Sequence, residues 1–188
     1  MTTDGATTGG ATTGGTVAVP DRLRSLLGTP PAWGTPRPSL WAASEAWLGL
    51  ALPADYKAFL DLYGPGSVDG YLELDRPTDG GSAEADRLWS TGAADGAAPV
   101  PGPWPPHPAE GGLVPWGADA HGNRYWFLTE EPDPDDWRIV VESEAGEWFE
   151  TAGTFTDFLL RCFDRIDRPP FLARAWPTAG ARYHPYAP

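Results

Sequence analysis

Cys162 is the only cysteine in the 188 residues, so no intramolecular disulfide and no cysteine-based zinc site can be built from this chain. That usage fits a reducing compartment. No apolar run approaches the roughly 18 residues of a membrane-spanning helix. The N-terminus carries neither the basic n-region nor the apolar h-region of a secretory leader, so a cytoplasmic protein is expected. Lysine is almost absent: Lys57 is the single one among 13 basic residues. Arginine in place of lysine, with abundant Ala, Gly and Pro, suggests a bacterial genome rich in G and C. Positive charge is scarce overall. Against those 13 bases stand 26 acids, a net charge of −13. Such a field repels nucleic acid and anionic membrane and favours basic partners, so neither a nucleic-acid nor a membrane partner is expected. Solubility alone would account for the same excess.

Aromatic residues are plentiful, with 10 Trp, 7 Phe and 6 Tyr. A chain with near 150 ordered residues buries roughly 70% of its unfolded surface, enough for a core without covalent staples. Pro (22) and Gly (23) announce long irregular segments. Residues 1–20 repeat A-T-T-G-G twice and are too polar to bury anything, so they read as a disordered Thr/Gly tail. Leu23, Leu26 and Leu27 mark a short helix stopped by Gly28. A second helix over 39–48 is expected to bury Leu40, Trp41, Trp47 and Leu48.

Residues 52–74 read L-P-A-D-Y-K-A-F-L-D-L-Y-G-P-G-S-V-D-G-Y-L-E-L. Tyr56, Phe59, Leu60 and Tyr63 recur at i, i+3, i+4 and i+7, one apolar stripe of a helix. Pro53 suits the helix start, Asp55 the positive first turn, and Gly64 with Pro65 the stop. Residues 71–74 then read as a short strand. Residues 78–112 are rich in Ala, Gly and Pro and read as an inserted surface loop. Beyond it, 113–116, 124–128, 137–142 and 147–150 read as strands of an antiparallel meander. Tyr125 and Phe127 on one face of the second, and Trp126 and Leu128 on the other, make that strand central. Thr154 caps a closing helix that buries Phe155, Phe158, Leu159, Cys162 and Ile166. Residues 169–188 remain as a tail of aromatics and proline. The order is α+β.

The stretch around this helix resembles the signature of the SUKH superfamily of cell-wall-regulator-like proteins. Leu48 and Gly49 precede it, L-P-A-D-Y-K-A-F-L matches it, and Tyr63, Gly64 and Gly66 complete it. L-V-P-W-G-A-D at 113–119 and T-F-T-D-F-L-L at 154–160 are similar to the strand and closing helix of that family. The resemblance implies one SUKH-like domain over 21–168, without catalytic residues, cofactor or metal. It also implies an immunity protein that blocks a cognate toxin, with nucleases among the candidate toxins. A second implied role is a regulatory scaffold or adaptor like the family's cell-wall signalling members. That role would use the N-terminal tail, the insertion and the C-terminal tail.

Two groups of residues invite functional readings. Asp119, His121 and Asn123 alternate in a turn; an acid/base pair or metal ligands would use such residues, but a hairpin turn uses the same types to satisfy its own backbone, and with no partner His or Cys nearby the turn is the preferred reading. Residues 130–150 hold nine of the 26 acids against one base, Arg138. They suit the solvated rim of a meander, or a contact face for a basic protein partner. The expected contact residues are Asp119, Glu130, Glu131, Asp133, Asp135, Asp136 and Glu144.

Overall fold

The computed structural model describes residues 17–31, 38–76 and 102–186. Most of the expected tail 1–20 and of the insertion 78–112 lies outside them. The elements run α1 (Asp21–Leu27), α2 (Pro38–Leu48), α3 (Ala54–Tyr63), β1 (Gly66–Val68), β2 (Leu72–Leu74), β3 (Leu113–Asp119), β4 (Arg124–Leu128), a 3-10 turn (Pro134–Asp136), β5 (Arg138–Glu142), β6 (Trp148–Thr151), α4 (Phe155–Asp164) and β7 (Tyr183–Pro185). The strands form one antiparallel sheet in the order β6-β5-β4-β3-β2-β1-β7. The α+β expectation holds, with β4 inside the sheet between β3 and β5.

Alternation along β4 gives the sheet two apolar faces. Tyr125 and Phe127 face the helices, together with Ile139 and Val141 of β5. Trp116 is the extra residue of a β-bulge between Pro115 and Gly117, and it is fully buried against Tyr125, Phe155 and Phe158. Trp126, Leu128, Val140 and Leu113 form a smaller cluster on the opposite face, partly covered by Trp104 and Trp148.

Helix α3 is the centre of the large core. Tyr56, Phe59, Leu60 and Tyr63 are all buried, as the stripe requires. Tyr56 meets Phe127 and Phe155 edge-on at 5.2 Å, and its hydroxyl donates to the carbonyl of Asp75. Pro53 stands just before the helix and has no side chain to cap it. Asp135 supplies that cap from the 3-10 turn: Ala54 N donates to its Oδ1 at 2.6 Å.

Two helical stripes differ from expectation. On α2 the buried residues are Trp41, Ser44 and Leu48, while Leu40 and Trp47 are 38% and 49% exposed. At about 100° per residue, positions 41, 44 and 48 share a face that 40 and 47 do not. Ile166 is 64% exposed because α4 ends at Asp164 and Arg165 turns left-handed (φ 58°), taking Ile166 off the stripe. The N-terminus of α4 does carry the expected box: Thr154 Oγ1 accepts from Asp157 N, and Asp157 Oδ2 accepts from Thr154 N, each at 3.3 Å.

Both flanking segments contribute to the core. Val19, within the expected tail, is buried. The segment 169–186 returns across the sheet: Leu172, Trp176, Ala181 and Tyr183 are buried, and β7 pairs with β1. Arg165 and Arg168 donate to carbonyls of residues 172–177 and hold that return in place. Trp176 Nε1 donates to Val68 O, and Tyr183 Oη donates to Gly64 O. Gly66 permits the pairing, since a Cβ there would stand 2.5 Å from the His184 carbonyl oxygen.

Candidate interaction surface

Asp119 is buried, and its carboxylate is spent inside the hairpin. Oδ1 accepts from the backbone N–H of His121 (2.9 Å) and Asn123 (3.2 Å); Oδ2 accepts from Asn123 Nδ2 (2.7 Å) and Tyr125 Oη (2.8 Å). Both oxygens of this expected contact residue are thus engaged within the hairpin. A buried carboxylate is retained where such donors satisfy it. His121 reaches Asp119 through its backbone, while its Nδ1 faces the Tyr71 hydroxyl at 3.4 Å. The turn therefore organises the β3–β4 hairpin. Among the described residues, no group of three or more His, Cys, Asp or Glu side chains is placed to hold a metal ion.

Glu144 lies beside this hairpin. Its N–H donates to Asn123 Oδ1 at 3.2 Å, and its side chain packs near Gly122. Residues 130–136 connect the far ends of β4 and β5. Five strand residues at about 3.4 Å each separate the two groups, so the expected single face is divided between opposite ends of the sheet.

Within 130–136 the acids have different duties. Asp133 caps the 3-10 turn by accepting from Asp135 N at 3.0 Å, and Asp135 caps α3. Arg138 reaches Glu130 with one guanidinium nitrogen and Glu150 with another. Glu131 fixes the turn through its backbone carbonyl, which takes the Trp137 indole N–H at 2.8 Å. The side chains of Glu131 and Asp136 are exposed and have no hydrogen-bond or ion-pair partner among the described residues. Glu142, from the same acidic stretch, is buried beside Arg124 at 3.0 Å; burial pushes its carboxyl up, and the guanidinium opposes that shift.

Sequence reasoning missed Glu110 and Trp104. Both lie on residues 102–112, a strap over the outer face of the sheet. Leu113 N donates to Pro105 O (2.9 Å), His107 N to Leu113 O (3.0 Å) and Thr129 N to Gly112 O (3.1 Å). His107 Nε2 lies 2.9 Å from Leu48 O, and Gly102 lies against the Trp148 ring. The run G-P-W-P-P-H-P at 102–108 has the composition of a linker, and these non-local contacts give it a fixed place.

Residues 36–161 match the SMI1 / KNR4 family (SUKH-1), about two thirds of the chain. The chain belongs to the SMI1 / KNR4 family (SUKH-1). No curated protein and no solved structure matches it. In this SUKH-1 chain the signature residues are structural. Leu52, Tyr56, Phe59 and Leu60 are core, Lys57 pairs with Glu45 at 2.6 Å, and Asp55 accepts from Thr156 N (2.7 Å) and Oγ1 (2.9 Å) at the start of α4. Among the described residues, no helix is long and apolar enough to cross a membrane.

Proposed function

We propose that this SUKH-1 chain is a non-enzymatic, cytoplasmic immunity protein that neutralises a cognate toxin by covering its active cleft. The observation that carries the reading is the acidic turn 130–136. Its backbone is fixed by the Trp137 indole and the start of α3, and its Glu131 and Asp136 carboxylates project unpaired among the described residues. An acidic projection on a rigid scaffold suits a basic partner, a nuclease among them, whose groove accepts phosphate charge. Complementary charge of this kind raises association rates from about 10⁵–10⁶ to about 10⁸–10⁹ M⁻¹s⁻¹ at low salt. The contact face on this reading is Glu130, Glu131, Asp133 and Asp136, with Asp135 serving α3 and Glu144 standing apart.

Co-purification with the product of the adjacent gene, at low and high salt, tests the proposal. A tight complex is expected, weakened by salt and by Glu131→Gln with Asp136→Asn. These two are chosen because neither side chain holds the fold, unlike Asp135. A tight complex indifferent to salt and to both substitutions would remove the acidic turn from the interface. No complex would favour the adaptor reading. Deleting 170–188 does not test the adaptor, because that segment carries core residues Leu172, Trp176 and Tyr183.

A further inference from the structure

An open cleft of about 560 Å³ lies between the strap and the turn that follows β4. Its volume falls within the roughly 300–1,000 Å³ of concave recognition sites. Trp104, Pro105 and Pro132 give it apolar and aromatic walls, and Glu110, Glu130 and Glu131 bring carboxylates to it. Among the described residues neither Glu110 nor Glu131 has an ion-pair partner, and the sole cation near Glu130 is Arg138, which it shares with Glu150. Trp104 is held edge-to-face on Trp148 at 5.9 Å. Gly111, at φ 65°, brings the strap's backbone against Glu130, where a Cβ would stand 3.2 Å from its Cγ. The walls are thus in place before any ligand arrives.

We infer that this cleft receives an arginine side chain presented by a loop of a basic protein partner. The site is a refinement of the acidic contact face and rests on that reading. Carboxylates alone would take lysine and arginine alike. The indole and proline rings beside them favour the planar, weakly hydrated guanidinium, which stacks on aromatic faces while its N–H fork meets carboxylate oxygens. An ammonium keeps its hydration shell and gains less from such walls. Charge and shape together select a protein loop bearing arginine.

The test uses the full chain and two acetylated, amidated probes of equal charge, hexa-arginine and hexa-lysine. Binding is followed by the indole N–H resonances, with Trp104 assigned from a Trp104→Phe variant. Hexa-arginine is expected to shift the Trp104 signal and to bind about fivefold or more tightly than hexa-lysine. Glu110→Gln with Glu131→Gln, which preserves side-chain shape, should weaken hexa-arginine about tenfold. Trp104→Leu should abolish the preference and Trp104→Phe should retain it. Equal binding of the two peptides, or undiminished binding by the double Gln variant, overturns the site. Discrimination between peptides without capture of the adjacent gene product would retain the arginine cleft and remove the toxin reading. A toxin complex unaffected by the double Gln variant would do the reverse.

Discussion

Asp55 joins two helix starts through one carboxylate. It lies in the first turn of α3, where the positive helix end favours it, and it accepts both the N–H and the hydroxyl of Thr156 in the first turn of α4. Asp55→Ala would leave a buried N–H unpaired, costing about 1–3 kcal/mol. Urea unfolding should show that loss as a lower midpoint with an unchanged slope, and Asp55→Asn should lose less because it keeps an acceptor. A midpoint equal to wild type would mean that water replaces the carboxylate at no cost. The acidic residue in the first turn was legible in the sequence. Its partner, 101 positions away, was not. Asp135 teaches the same lesson: a carboxylate that reads as available surface charge caps α3 once Ala54, 81 positions away, donates to it.

At the scale of elements, α3, β4 and α4 follow from local pattern. The stripe of α3, the double-faced apolar β4 and the Thr154/Asp157 box each carry their signal within a few residues. The short strand β1 does not, because Gly66–Val68 lies inside what reads as a turn, and the segment that pairs with it lies far along the chain. Gly66→Ala probes this pairing. The added Cβ meets backbone atoms of His184 and Pro185 at 2.5 and 2.7 Å, so the strands must move apart, costing about 1–3 kcal/mol. Hydrogen exchange should accelerate at the Asp69 and Tyr186 amides, which donate to Arg182 and Pro65, while β4 and β5 amides keep their protection relative to the global limit. Unchanged exchange at Asp69 and Tyr186 would show that β7 tolerates the methyl.

For the whole molecule, burial sets the response to high pH. It raises the phenols of Tyr56, Tyr125 and Tyr183 well above their usual value and pushes the Tyr71 phenol and the Cys162 thiol up to about 12. The folded chain therefore keeps protons that the unfolded chain releases. Stability is full below the unfolded values of about 8.5 for thiol and about 10 for phenol, and it falls as pH climbs through them toward 12. The urea midpoint should hold between about pH 7 and 8 and decline above about 9, and phenolate absorbance should rise together with loss of near-ultraviolet circular dichroism. Phenolates forming near pH 10 with that signal intact would contradict the burial of these rings. Likewise Cys162, fully buried, should react with a thiol reagent only as the chain unfolds.

The sequence by itself determined the helices, the meander, the aromatic core and the family signature, because hydrophobic period, caps and turn residues act over a few positions. It also determined the acidic excess and its concentration in 130–150. Tertiary structure decided which of those acids face outward. It separated Glu144 from residues 130–136 by the length of β4, buried Asp119 and Glu142, and set Asp135 on α3. It also laid the proline-rich strap beside Glu130 and drew the C-terminal residues into the sheet as β7. Asp119 is held by donors of its own turn, and the others share one physical reason. A charge's availability and an irregular segment's position depend on hydrogen bonds and sheet pairings between residues far apart in sequence, and no local pattern encodes them.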